Sequence, residues 1–201
     1  MKQYAPAFER NRQPITDALI QALDGCSRLL EIGSGTGQHV AWFAREFPSI
    51  TFYPSDLPTS IDSIEAWREE AGLDNIQPAR VIDLLSEPAS EISGINPDAI
   101  ISINTLHIVS WQGVEALFAT ASRTLPPGGV LFVYGPFKFK SRALEPSNIE
   151  FDRWLKERDS NSGIRCFEDV NQLASDARLE CVAKRAMPAN NHSIWWRKLS
   201  N

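Results

Sequence analysis

The chain has 201 residues, a net charge of −5 at neutral pH and a sequence pI of about 5.3. That length suits one α/β domain with a sizeable core, residues 1–201. The acidic balance leaves no overall basic field to gather a phosphate backbone and so argues against a nucleic-acid partner. Cys26, Cys166 and Cys181 are scattered and odd in number, which points to reduced thiols and neither a disulfide frame nor a metal site. No apolar run approaches membrane-spanning length and the polar N-terminus lacks a signal-peptide pattern, so the expectation is a soluble cytoplasmic protein.

Tyr4 to Arg12 has no clear period and reads as an arm, residues 1–13, ahead of the first helix. Pro14 suits a first helical turn, and Ile15, Leu19, Ala22 and Leu23 form one apolar stripe that Gly25 ends. Leu29-Leu30-Glu31-Ile32 is then a buried strand, followed by Gly33-Ser34-Gly35-Thr36-Gly37 and a helix whose inward face carries Val40, Phe43, Ala44 and Phe47. Strand, glycine turn and helix together open a doubly wound nucleotide-binding fold. A dinucleotide fingerprint aligned on Gly33 and Gly35 needs a third glycine where Gln38 stands, so the dinucleotide reading is disfavoured.

Ile50 to Tyr53 is a second strand closed by Ser55-Asp56, and an acidic residue at that place can accept hydrogen bonds from ribose hydroxyls. Ile61, Ile64, Trp67 and Ala71 mark a helix that Gly72 stops. Ala79 to Ile82 is a short third strand ending at Asp83, and Asp98 to Asn104 a fourth, running into Thr105-Leu106-His107-Ile108. Val114, Leu117, Phe118, Ala121 and Leu125 share a helical face, and Pro126-Pro127-Gly128-Gly129 turns the chain into a fifth strand, Val130 to Tyr134. Helices over 148–158 and 167–177 precede two strands, 180–186 and 193–199, whose short turn makes them antiparallel. In such a sheet ligands bind beyond the carboxyl ends of the strands, where Asp56, Asp83, Asn104 to His107 and Tyr134 to Phe137 all fall.

The order Glu31-x-Gly33-x-Gly35-x-Gly37 resembles the first motif of class I methyltransferases, which bind S-adenosyl-L-methionine. Tyr4-Ala5-Pro6-Ala7, Glu9-Arg10-Asn11, Pro14-Ile15, Tyr134-Gly135-Pro136-Phe137, Ser147-Asn148, Phe151-Asp152 and Met187-Pro188-Ala189-Asn190-Asn191 resemble the hallmarks of the methyltransferase-like twenty-six family. The resemblance spans nearly the whole chain. It implies a Rossmann-like class I methyltransferase fold: a mostly parallel seven-stranded sheet with a reversed C-terminal strand and helices on both faces. It also implies a methyltransferase, with the substrate class unsettled and the N-terminal arm as a lid over the active site.

On that resemblance, Glu31 balances the cofactor's ammonium and Asn104 offers it a main-chain carbonyl. Gly33, Ser34, Gly35 and Gly37 let the methionine portion approach the backbone, Asp56 and Leu57 take the ribose, and Asp83 and Leu84 take the adenine. Arg10 and Asn11 belong to the cofactor side of the arm. The expected reaction is in-line displacement at the sulfonium methyl, in which holding the reactants in attack geometry is worth roughly 7–11 kcal/mol. His107 is the one histidine considered as a general base, with a core hydrogen bond as its other reading. His39 and His192 read as helix-end and turn residues. Tyr134, Asn148, Asp152 and Asn190 are candidates to hydrogen-bond a polar acceptor. Lys138, Lys140 and Arg142 read as a solvated loop, with capture of an anionic substrate as the alternative. A small-molecule acceptor leads; a non-catalytic S-adenosylmethionine-binding regulator and a protein or nucleic-acid methyltransferase stay open.

Overall fold

In the computed structural model, which describes residues 1–86, 92 and 94–200, helices and strands alternate along the chain. They are α1 (Phe8–Ala22), β1 (Arg28–Ile32), α2 (Gln38–Glu46), β2 (Thr51–Asp56), α3 (Pro58–Ala71), β3 (Arg80–Val81) and β4 (Ala99–Ile103). There follow α4 (Trp111–Thr124), β5 (Val130–Lys138), α5 (Pro146–Arg158), β6 (Arg165–Cys166), α6 (Phe167–Asp176), β7 (Leu179–Met187), a 3₁₀ turn (Pro188–Asn190) and β8 (Asn191–Lys198). Seven strands lie in the order β3-β2-β1-β4-β5-β8-β7, and the two-residue β6 pairs with the far end of β5. β1 to β5 pair in parallel, while β8 runs antiparallel to both β5 and β7. The expected Rossmann-like sheet with one reversed C-terminal strand is present. The added β6 was not legible as a strand because two residues carry no period.

Successive side chains of a strand point to opposite faces, and the central strands are apolar on both. Leu30, Ile100, Leu131, Val133 and Trp196 enter a core with α4 and α6. Leu29, Ile101, Phe132, Tyr134 and Trp195 enter a second core with α1, α2 and α3. Each of these large side chains, fully buried, contributes about 1.5–3 kcal/mol by leaving water. Helices therefore cover both faces, and the carboxyl ends of β1 to β5 open at one edge.

The first helix differs from expectation: it begins at Phe8, and Pro14 lies inside it. Proline normally breaks a helix because it lacks an N–H and crowds the preceding turn. Here side-chain packing outweighs that cost. Phe8 meets the rings of His39 and Trp42 edge-on at 5.2 and 6.5 Å, and the Arg12 guanidinium lies 4.3 Å from the Trp42 ring centre. Residues 8–13 of the supposed arm are thus helix. β5 runs on to Lys138, and the β7–β8 turn is tighter than expected, with Ala189 and Asn190 left-handed at φ 56° and 58°. No helix among the described residues is long and apolar enough to cross a membrane.

Candidate functional site

The three glycines after β1 have positive φ and do three different things. A Cβ on Gly33 would lie 2.6 Å from the Thr105 hydroxyl, so this glycine lets the loop after β4 close against β1. Gly35 has open space where its Cβ would be, and its N–H donates to Asp56 Oδ2 at 2.7 Å. A Cβ on Gly37 would lie 2.7 Å from the Ile64 backbone, so Gly37 serves the packing of α2 on α3. The loop is lashed to the end of β2: the N–H groups of Gly33 and Ser34 donate to the Ser55 carbonyl at 3.0 and 2.9 Å, and the Ser34 hydroxyl accepts from Ser55 N–H.

This loop forms one wall of a cavity of about 490 Å³. Asp56 and Leu57 stand at the end of β2, and Asp83 and Leu84 follow β3. Asp56 is fixed from both sides, because its second oxygen accepts from Leu57 N–H at 2.7 Å. Asp83 accepts from Leu85 N–H at 2.9 Å in a local side-chain turn. Asn104 closes the end of β4 at φ 56°, a left-handed conformation that asparagine tolerates, with its N–H on the Tyr134 carbonyl. Ile108 and Val109 form the opposite wall, and their turn is held by Arg165, which donates to the carbonyls of Leu106 and Val109. Leu57, Leu85 and Ile108 are exposed at the rim and give the mouth an apolar lip.

Beneath the loop, on β1, lies Glu31. It is 1 % exposed, and its Oε2 has no hydrogen-bond partner. Burial pushes its carboxyl up to about 7; a hydrogen bond with Ser34 opposes this and the Asp56 charge adds to it. A buried acid of this kind is stabilised by a cation brought to it.

One further residue of the cavity was not anticipated, and the N-terminal segment also reaches it. His39, read from sequence as a helix-end residue, lines the wall, and its Nε2 is 3.1 Å from Asn11 Oδ1. Because that oxygen only accepts, Nε2 carries the proton and Nδ1 a lone pair; burial holds the ring's pKa down to about 4. Its place in the first turn of the helix after the glycine loop is the signal that reveals it. Ala5 also reaches the wall, its N–H donating to Gln38 Oε1 at 2.6 Å. Residues 2–5 are pinned to α3 by Gln3, bonded to Ser63 and Trp67, and by the Lys2 ammonium 3.6 Å from the centre of the Trp67 ring.

The expected cofactor residues therefore converge, with exceptions. Gly33, Ser34, Gly35, Asp56, Leu57, Asp83, Leu84 and Asn104 share the cavity and Glu31 underlies it. Gly37 is committed to helix packing, Arg10 is exposed on α1, and Asn11 reaches the cavity through His39.

The expected acceptor residues do not converge on this cavity. His107 is 5 % exposed and outside the cavity wall, packed under Gly135 and edge-on to Phe151. Burial, then the Arg165 charge, lowers its pKa to about 4. Tyr134 is also buried; its hydroxyl is flanked by Asn11 and Asn191, and burial raises its pKa overall. Asp152 is taken up by Ile164 N–H and Lys156, which ties α5 to β6. Asn148 donates to the Asn190 carbonyl and Asn190 to the Ser147 hydroxyl, and both asparagines line a second cavity of about 100 Å³ at the end of β5.

A family model described as protein of unknown function, DUF938, matches residues 2–198, and the chain belongs to this family. Among solved structures, an O-methyltransferase family protein from Burkholderia thailandensis superposes with a TM-score of 0.82 at 18% identity, covering 97% of this chain and 58% of that one. Human N-acetylserotonin methyltransferase, solved with S-adenosylmethionine, gives 0.79 at 16% identity over 96% of this chain and 53% of its own. The mitomycin 7-O-methyltransferase MmcR gives 0.78 at 16% identity, with 94% and 54% covered. The chain thus spans between half and three fifths of the length of these proteins. At such identities the likeness is one of fold, and the fold is that of the class I methyltransferases.

Proposed function

We propose that the chain is an S-adenosyl-L-methionine-dependent methyltransferase acting on a small molecule. The observation that carries this reading is Glu31: a buried acid with an unpartnered oxygen beneath an open glycine loop, suited to the ammonium of an amino-acid ligand. In this reading Glu31 and the Asn104 carbonyl hold the ammonium, Gly33 and Gly35 let the amino-acid portion lie on the backbone, and Asp56 accepts from the ribose. Asp83 takes the adenine amine and Leu57 and Leu84 cover the apolar surface. When bound, S-adenosyl-L-methionine supplies a methyl group activated by its sulfonium.

The protein's share of the chemistry is then orientation and exclusion of water, by the apolar lip and by residues 2–5 strapped across α3. We read the chain as one unit in which residues 1–7, and the start of α1 behind them, cover the cavity. The narrower kinship with the methyltransferase-like twenty-six family belongs to this proposal, supported by the segments at both ends of the chain. A small acceptor is supported by the acidic balance of the chain and by matched structures such as MmcR, named for mitomycin, and a Planctomyces limnophilus enzyme solved with apigenin.

Calorimetry with S-adenosylmethionine, S-adenosylhomocysteine and NAD tests the binding half. Binding of the first two and not the third is expected; if neither sulfur ligand binds, the reading fails. One observation favours a binder without catalysis, namely that His107, Tyr134 and Asp152 stand outside the cavity. Transfer of a tritiated methyl group into a fractionated metabolite extract separates the two.

A further inference from the structure

We propose that the small cavity between the end of β5, the start of α5 and the β7–β8 turn is an oxyanion subsite. It would hold a carboxylate or phosphate group of the methyl acceptor, and in that respect rests on the methyltransferase reading. Its place comes from the sheet. β4 ends in the donor cavity and β5, its neighbour, ends in this one, so the two lie side by side along the carboxyl edge. Tyr134 is the partner of Ile103 at the end of β4, and this cavity begins three residues further on at Phe137, so at about 3.3 Å per residue it lies roughly 10 Å beyond the end of β4 along the strand, a length that an extended small molecule covers.

Its chemistry comes from a surplus of donors. Arg142 Nη2 is 3.1 Å from His192 Nε2. A guanidinium has no acceptor, so Nε2 accepts and the neutral ring must carry its proton on Nδ1. His192 is 6 % exposed and its Nδ1 has no hydrogen-bond partner. Lys138 adds a second cation to the wall. Lys184 stands behind it, 4.7 Å from the centre of the Phe139 ring, whose other cation is Arg142 at 4.5 Å. Arg142 and Lys184 are held by aromatic rings and an imidazole, and among the described residues no ion pair within 4.0 Å engages them or Lys138, although Asp152 and Asp169 feel the Lys138 charge. Glu145 is the acidic residue of the wall, so the lining keeps a positive balance. A cavity of about 100 Å³ accommodates an oxyanion with its waters. The rest of such a molecule then extends toward the donor cavity.

The test is titration of the isotopically labelled protein with sodium phosphate or sodium acetate, with sodium chloride at matched ionic strength, following the His192 ring resonances. A saturable shift with an oxyanion and none with chloride is expected. Tighter phosphate binding marks a phosphomonoester acceptor, tighter acetate binding a carboxylate. In Arg142→Gln, which can still donate to Nε2 but lacks the charge, the affinity should fall by at least about tenfold. Lys140→Gln, on an exposed lysine paired with Asp169, should bind as the wild type does. No saturable shift, or equal affinity in Arg142→Gln, overturns the subsite. Calorimetry with S-adenosylhomocysteine on the same samples keeps the two readings apart: ligand bound without oxyanion sinks the subsite alone, and oxyanion bound without ligand sinks the methyltransferase reading alone.

Discussion

Replacing Glu31 by glutamine should stabilise the ligand-free protein and weaken its hold on the donor, and the two effects have one cause. Folded, the carboxyl titrates near 7; unfolded, near 4.5. Between those values the folded chain keeps a proton that the unfolded chain releases, so stability declines as pH rises through the window. The full loss, complete by about pH 8, corresponds to about 3 kcal/mol. Glu31→Gln removes the charge without changing the shape, and for a chain of this size the gain at pH 8 should raise Tm by roughly 5–10 °C. Well below 4.5 the carboxyl is protonated in both states, so the gap between the two proteins should already be small at pH 5 and should close toward lower pH. Thermal melts from pH 5 to 8 read this directly. If the variant is less stable at pH 8, or its advantage does not grow with pH, the account of a charge held at a cost is wrong. The binding arm has the opposite sign: an incoming ammonium needs the ionised form. Wild-type affinity for S-adenosylhomocysteine should therefore fall as pH drops below 7, and Glu31→Gln should lose that dependence together with its affinity.

Asp56→Ala should weaken S-adenosylhomocysteine binding by about 10- to 150-fold in calorimetry, the range for hydrogen bonds to a charged group; unchanged affinity would remove Asp56 from the ribose. Gly37→Ala should cost more stability than Gly35→Ala in urea unfolding, because its methyl meets the Ile64 backbone whereas the methyl on Gly35 meets open space. Gly35→Ala should instead reduce ligand affinity, since that space belongs to the cavity; a reversal of this order would show that Gly37 faces the ligand. His107→Gln should leave the pH profile of methyl transfer intact, because the imidazole is buried outside the cavity and stays neutral down to about pH 4. Loss of an inflection in that variant would reinstate His107 as the base.

The cavity around the glycine loop was legible because its determinants are local. A strand, a glycine turn and a helix start occupy eleven consecutive residues, and the acid that ends a strand is placed by the strand itself. Asp56, Asp83 and Asn104 could thus be assigned to one edge before any packing was known. The small cavity at the end of β5 depends on contacts between distant residues. Asn148 meets Asn190 and Arg142 meets His192 across 42 and 50 residues, and no spacing encodes such pairs. The same holds for the first helix: Pro14 is a local stop signal, and what overrides it is Phe8 against His39 and Trp42, three residues from two elements.

That division also separates the two histidines. By sequence His107 follows a strand at the reactive edge while His39 merely opens a helix. In the fold, the turn after β4 is drawn over by Arg165, and the missing side chain of Gly135 leaves room in which the His107 ring is buried. His39 is held open to the cavity by the stack on Phe43 and the bond to Asn11, with its lone pair on the nitrogen that Asn11 does not occupy. Asn11 in turn flanks Tyr134, and Tyr134 is flanked by Asn191 on the wall of the oxyanion cavity. The two cavities are thus joined by polar side chains through a core that is otherwise apolar. A substitution at Asn11 should therefore be felt in both: Asn11→Leu leaves the proton of His39 without a partner and takes a polar group from beside the Tyr134 hydroxyl, and ligand affinity in the donor cavity and the His192 resonances should change together. If only one responds, the residues between the cavities are packing and not a connection.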